Sequence, residues 1–198
     1  MEKSIEDIVL EYKNSLTVPD ENPVRQIFFC PVGLIGAGKT TVTTPVALKL
    51  DLVRISNDEL RKLLQENGYD YSPLRDMGKE VAYELAQDGY SIAFDMDCGN
   101  PETKEAIEAL AEEFDALIFW VHIDTPEEFI LNKLRNHPPS WLASDPQVMI
   151  DNYNKQKAKR AEENTKFDFF YTFDTSKRNV NEQIEECVKL INEEIGQS

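Results

Sequence analysis

No stretch of this 198-residue chain is long and apolar enough to cross a bilayer, which excludes a helical membrane protein. The opening "MEKSIEDIVLEYK" is charged and periodic and lacks the uninterrupted apolar core of a signal peptide. Cysteine is scarce: Cys30, Cys98 and Cys187 lie far apart, match no metal-ligand spacing and leave one thiol over in any disulfide scheme. A reducing, cytoplasmic setting is the expectation. Cations are few as well, 21 Lys/Arg against 37 Asp/Glu, and the net charge of −16 argues against a general nucleic-acid coat. The deficit is uneven. Between Lys133 and Lys166 seven Lys/Arg face four Asp/Glu, a local balance of +3 that leaves −19 for the remainder. A run such as "KQKAKR" is by default a solvated face, so its place in the fold decides its meaning.

What is present is ordinary globular material in a regular order, long enough for a sizeable core. Ile5, Ile8, Val9, Tyr12 and Leu16 fall at helical spacing, and "TVPDENP" then breaks the chain. Residues 1–22 therefore read as an amphipathic helix and linker ahead of one domain, 23–198. A strand is expected at about 26–31, then a helix from Lys39 to about Leu50. Pro45 removes a ladder donor there, which calls for a kink or a later start. "LVRIS" reads as a second strand, and Ser56 with Glu59 as a capping box opening a helix to about Asn67. Further strands are expected at "SIAFDM", "ALIFWVHID" and "FDFFYTFD". Helices are expected at "LRDMGKEVAYELAQDG", "PETKEAIEALAEEF", "TPEEFILNKLR", about 147–164 and "VNEQIEECVKLINEEI". Apolar strands alternating with helices indicate an α/β fold with a parallel sheet covered on both faces, which binds ligands at the carboxyl ends of its strands.

"PVGLIGAGKT" sits at one such end. Gly33-x-x-x-x-Gly38-Lys39-Thr40 is the P-loop pattern, between a strand and a helix as its mechanism requires. Glycine lets consecutive backbone N–H groups turn inward into an anion nest, and the helix adds the positive end of its dipole. The phosphate site is thus expected at Gly33, Gly36, Ala37, Gly38, Lys39, Thr40 and Thr41, with Lys39 on the outer phosphates and the Thr40 hydroxyl on Mg²⁺. A second oxygen ligand is expected from Asp95, at the end of its apolar strand; Asp97, two positions on, points to the same side.

"GLIGAGKTT", "ISNDELR" and "IAFDMDCGNPETK", followed by a basic segment after the fourth strand, together resemble the P-loop kinases. The likeness is to the branch of polynucleotide 5′-hydroxyl kinases, zeta-toxin-like kinases and predicted small kinases, and spans about residues 25–195. It implies a three-layer P-loop NTPase fold, with a five-stranded parallel sheet, the third strand beside the first, and a helical lid at about 133–160. It also implies that Asp58 accepts the proton of an attacking hydroxyl and that Arg61, one turn on, holds the acceptor or its phosphate. Lid cations would close over the triphosphate, Arg135 first and Arg160 second among Lys133, Lys155, Lys157 and Lys159. The loop Thr175–Arg178, with Lys177, lies where such folds meet the adenine. Two departures touch the acceptor side: Asp95-Met96-Asp97-Cys98 replaces an Asp-x-Thr-Asn pattern, and Lys104 stands where an arginine is usual.

The expected activity is an ATP- and Mg²⁺-dependent kinase transferring the γ-phosphoryl group to a small-molecule or nucleotide-like hydroxyl. A polynucleotide 5′-hydroxyl kinase is the alternative, and a nucleotide-dependent switch or partner-binding module the reading from another class. His122 is expected in the core, His137 at a turn, Cys30 and Cys187 as core fillers, and Cys98 exposed near the site.

Overall fold

Six consecutive buried residues, Ile27–Val32, make the strand (β1) around which the rest is arranged. The computed structural model describes residues 3–136, 145–163 and 165–197. The remaining elements are α1 (Ile5–Ser15), α2 (Lys39–Lys49), β2 (Val53–Ser56), α3 (Asn57–Glu66), α4 (Leu74–Gln87) and β3 (Ile92–Asp95). They continue with α5 (Pro101–Phe114), β4 (Leu117–Ile123), α6 (Glu127–Asn136), α7 (Pro146–Glu163), β5 (Tyr171–Phe173) and α8 (Val180–Gln197). The strands pair in parallel in the order β2-β3-β1-β4-β5, which puts the third strand beside the first.

Alternation along β1 divides the core in two. Phe28, Cys30 and Val32 face a layer formed by α1, α3, α4 and α5. Ile27 and Phe29 face α2, α6, α7 and α8. A sheet buried on both faces needs apolar side chains at every β1 position, which is why "IFFCPV" reads as a continuous apolar run. Three layers result, and all five strand ends open on one edge.

Several local expectations change. Ser56 does cap α3, accepting from the Glu59 N–H, but the Glu59 carboxylate pairs with Arg54 instead of reaching back. The reciprocal capping box belongs to α1, where Ser4 and Asp7 satisfy each other's backbone N–H groups. α2 begins at Lys39 and runs through Pro45 to Lys49, so the later start is not taken. The last strand is short: of "FDFFYTFD" only Tyr171–Phe173 pairs with β4, while Phe167 and Phe169 stack on each other and against Trp120 and His122. Cys98 is fully buried rather than exposed, in the same core as Cys30, because its N–H is tied to the Pro31 carbonyl at 3.0 Å. His122 is half-buried with its ring stacked on Phe169, and that burial lowers its pKa. His137 lies outside the described residues.

Candidate active site

The β1–α2 turn is shaped by two left-handed glycines, Gly36 at φ 80° and Gly38 at φ 101°. A side chain at Gly38 would be strained by that φ, and its Cβ would lie 2.7 Å from the Thr175 hydroxyl. The loop rests on two threonines, one after β4 and one after β5. Thr125 and Thr175 both donate to the Ala37 carbonyl, at 2.9 and 2.6 Å. Thr175, placed by sequence at the adenine, therefore spends its hydroxyl supporting the phosphate loop.

Lys39 opens α2 and folds back over the turn, donating to the carbonyls of Gly33 at 2.9 Å and Leu34 at 3.0 Å. Burial pushes its ammonium pKa down, while Asp97, Asp58 and Asp95 partly oppose the shift. Thr40, next in sequence, donates to Asp95 Oδ1 at 2.9 Å. The Asp95 side chain is 3% exposed and its other oxygen receives Arg54 at 2.5 Å. Burial raises the Asp95 pKa against the opposing pull of Thr40 and Arg54. A hydroxyl and a carboxylate side by side at a phosphate loop are the hard oxygen donors that Mg²⁺ takes, so these two residues fit the ion. No cluster of three or more His, Cys, Asp or Glu fit for a metal occurs among the described residues.

Asp97 does something different. Its Oδ1 accepts from the N–H groups of Gly33 at 3.3 Å and Gly99 at 3.1 Å, and its Oδ2 from Gln156 at 2.7 Å and from Arg160. Arg160 lies so close over Gly99 that any side chain there would displace it. Of the two carboxylates left open by sequence, Asp95 is the one beside Thr40.

Beyond the loop, a cleft of 1330 Å³ runs between α4 and α5. Phe94, Met96 and Ile107 are among its apolar walls, and Asn57, Arg61, Asp97 and Gln156 line it as well. Asp58, in the first turn of α3, is held to Arg61 at 2.7 Å. Lys104 turns elsewhere, pairing with Glu108 and lying over the rings of Trp120 and Phe167. Arg135 is exposed in the last turn of α6, whereas Arg160 reaches the phosphate loop through Asp97. Thr41 is exposed on α2, and Lys177 pairs with Asp174 at 3.5 Å. Gln156 and Arg54 were not foreseen. Gln156 shares a helical face with Tyr153 and Arg160, three and four residues away, a spacing that marks it; nothing near Arg54 in sequence does.

Residues 29–163 match a family model described as an AAA domain. Among solved structures, a chain of the PezAT toxin–antitoxin system of Streptococcus pneumoniae aligns at TM-score 0.59 and 19% identity, covering 96% of each chain. The APS kinase of Mycobacterium tuberculosis, solved with AMPPNP and APS, aligns at 0.55 and 17%, covering 86% of this chain and 99% of its own. Shikimate kinase from Bacteroides thetaiotaomicron aligns at 0.55 and 19%, covering 87% and 98%. Comparison with curated proteins gives no match. At these identities the structural likeness establishes the fold, a three-layer P-loop kinase-like fold.

Proposed function

Because the chain belongs to the AAA-domain family, we propose that it is an ATP- and Mg²⁺-dependent kinase that moves a γ-phosphoryl group onto the hydroxyl of a small-molecule or nucleotide-like acceptor. The observation that carries this reading is a junction of two features. The Gly33–Thr40 loop, with adjacent Thr40 and Asp95 oxygens, is joined through Asp97 and Gln156 to a cleft that Asn57 and Arg61 also line, with Asp58 tied to that arginine.

In this reading the amides from Gly36 to Thr40 hold the inner phosphates and Lys39 leaves its two carbonyls to reach the outer ones. Mg²⁺, held at Thr40 and Asp95, would neutralise charge on the triphosphate oxygens. Asp58 orients the acceptor hydroxyl and takes its proton as the oxygen–phosphorus bond forms and the bond to ADP breaks. Arg61 keeps that carboxylate aimed. Arg160, already close to the loop, and Arg135 supply charge from the lid helices as water is excluded.

The cleft also favours a small acceptor over a nucleic-acid end. Six carboxylates line it, among them Asp76, Glu80 and Glu113, against only Arg61, Arg75 and Lys79. A strand-tracking groove needs the opposite balance.

The test has two arms. Calorimetry with Mg·ATP should register binding, and labelled ATP offered with a panel of alcohols should transfer its terminal phosphoryl group to one class of them. Asp58→Asn should slow that transfer by roughly 10²–10⁴-fold while nucleotide affinity stays within about threefold. Unchanged transfer in Asp58→Asn would remove Asp58 from the mechanism, and absence of nucleotide binding would remove the mechanism altogether.

A further inference from the structure

The phosphate nest is not open in this structure. Within the loop between Gly33 and Gly38, the Ile35 N–H donates to Gln156 Oε1 at 2.7 Å, across 121 residues of chain. The same carboxamide donates through Nε2 to Asp97 Oδ2 at 2.7 Å. Both ends of the amide are thereby fixed: the oxygen must face the N–H and the nitrogen must face the carboxylate. α7 holds Gln156 in place from behind, because Met149 and Tyr153 on the same helix are buried in the core.

Position in the loop decides which phosphate is affected. The inner phosphates belong to the amides nearest the α2 N-terminus. Ile35 lies three residues before Gly38, at the end where the Lys39 ammonium now rests on the carbonyls of Gly33 and Leu34. That is the end a third phosphate would reach. A carboxamide oxygen therefore sits where a terminal phosphoryl oxygen would accept the same N–H. Gln156 also lines the acceptor cleft, so it stands between the two substrates.

We propose that Gln156 is an internal stand-in for the terminal phosphate: its carboxamide oxygen occupies the Ile35 N–H until a nucleoside triphosphate displaces it, and its departure removes one of the four donors that hold Asp97 at the wall of the acceptor cleft. The proposal rests on the nucleotide-binding reading above and adds to it a route by which triphosphate occupancy is reported to the acceptor side. A diphosphate leaves the stand-in undisturbed. The residue thus discriminates ATP from ADP by the cost of its own removal.

Calorimetry with Mg·ATP and Mg·ADP on the wild type, Gln156→Ala and Gln156→Glu tests this. Removing the stand-in removes the bond that the triphosphate must break, so Gln156→Ala should bind Mg·ATP about fivefold more tightly, the equivalent of one net hydrogen bond, with Mg·ADP within about twofold of wild type. Gln156→Glu places a carboxylate in the nest and should weaken Mg·ATP more than Mg·ADP. A helix residue with a merely structural role would not raise affinity for one nucleotide and spare the other. Unchanged or weaker Mg·ATP binding in Gln156→Ala, with a wild type that binds, overturns this inference alone. A wild type that binds neither nucleotide overturns the nucleotide reading itself.

Discussion

Lys39 shows how the loop's chemistry acts against its stability. Its ammonium has carbonyl partners but, among the described residues, no carboxylate within bonding distance, and burial lowers its pKa. A lysine whose folded pKa lies below its unfolded one destabilises the fold while both states are protonated. That cost is complete below the folded pKa and is relieved as pH rises from there toward the unfolded value of 10.5. Lys39→Met should therefore melt no lower than wild type at pH 7, and by up to a few degrees higher. The same variant should lose Mg·ATP binding by about 100-fold or more, since the outer phosphates lose their charge-assisted donor. Thermal melts paired with calorimetry check both halves. A large drop in melting temperature would mean that the two carbonyl bonds outweigh the desolvation.

At the scale of elements, the helix outside the family match is built into the site. α1 buries Ile8, Val9 and Tyr12 against α3 and α4. β2 is an edge strand, and the outward backbone groups of Ser56 have no neighbouring strand to pair with. The Tyr12 hydroxyl serves in its place, accepting the Ser56 N–H at 2.7 Å and donating to the Ser56 carbonyl at 3.4 Å. Asn57 and Asp58 follow directly, so α1 steadies the turn that presents Asp58. Tyr12→Phe leaves a buried N–H without its acceptor and should cost about 1–3 kcal/mol in denaturant unfolding. Burial also raises the Tyr12 pKa above the ordinary value of 10.0, so the native state keeps a proton that the unfolded state gives up. The stability contributed by the neutral phenol is complete below pH 10 and falls as pH climbs past it. The deficit of Tyr12→Phe should accordingly narrow in alkaline solution, and a deficit constant from neutral pH to pH 11 would count against this origin. The contact also marks where sequence reading stops. The P-loop, the sheet and the neighbourhood of Thr40 with Asp95 were legible because each follows from local spacing or strand ends. Tyr12 with Ser56, Gln156 with Ile35 and Arg54 with Asp95 join residues 44, 121 and 41 positions apart, and no local period encodes such meetings. The shortness of the last strand was hidden for a similar reason. "FDFFYTFD" has strand composition throughout, yet Phe167 and Phe169 are taken up by the ring of aromatic side chains around Trp120 and His122.

For the molecule as a whole, charge decides what can approach. Part of the basic island that stood out in an acidic chain is answered from within. Lys157 pairs with Glu127 at 2.7 Å, Lys159 with Glu163 at 3.3 Å, and Arg160 with Asp97. What remains for solvent is an excess of carboxylates, and the cleft between α4 and α5 repeats that excess. Binding of a single strand by phosphate contacts would release counterions and give a log K against log salt slope of about −0.7 per contact. A 5′-hydroxyl oligonucleotide engaging three phosphates would thus show a slope near −2. We expect instead that titration of a labelled 5′-hydroxyl oligonucleotide at low salt shows little or no binding, with no salt dependence of that size. The acceptor assay should agree, losing little activity with a small alcohol as salt rises through the range that abolishes phosphate-driven association. A slope near −2, with phosphorylation of the oligonucleotide falling in parallel, would mean that the cations of α7 exchange their internal partners for a nucleic-acid backbone, and the acceptor would then be a strand end.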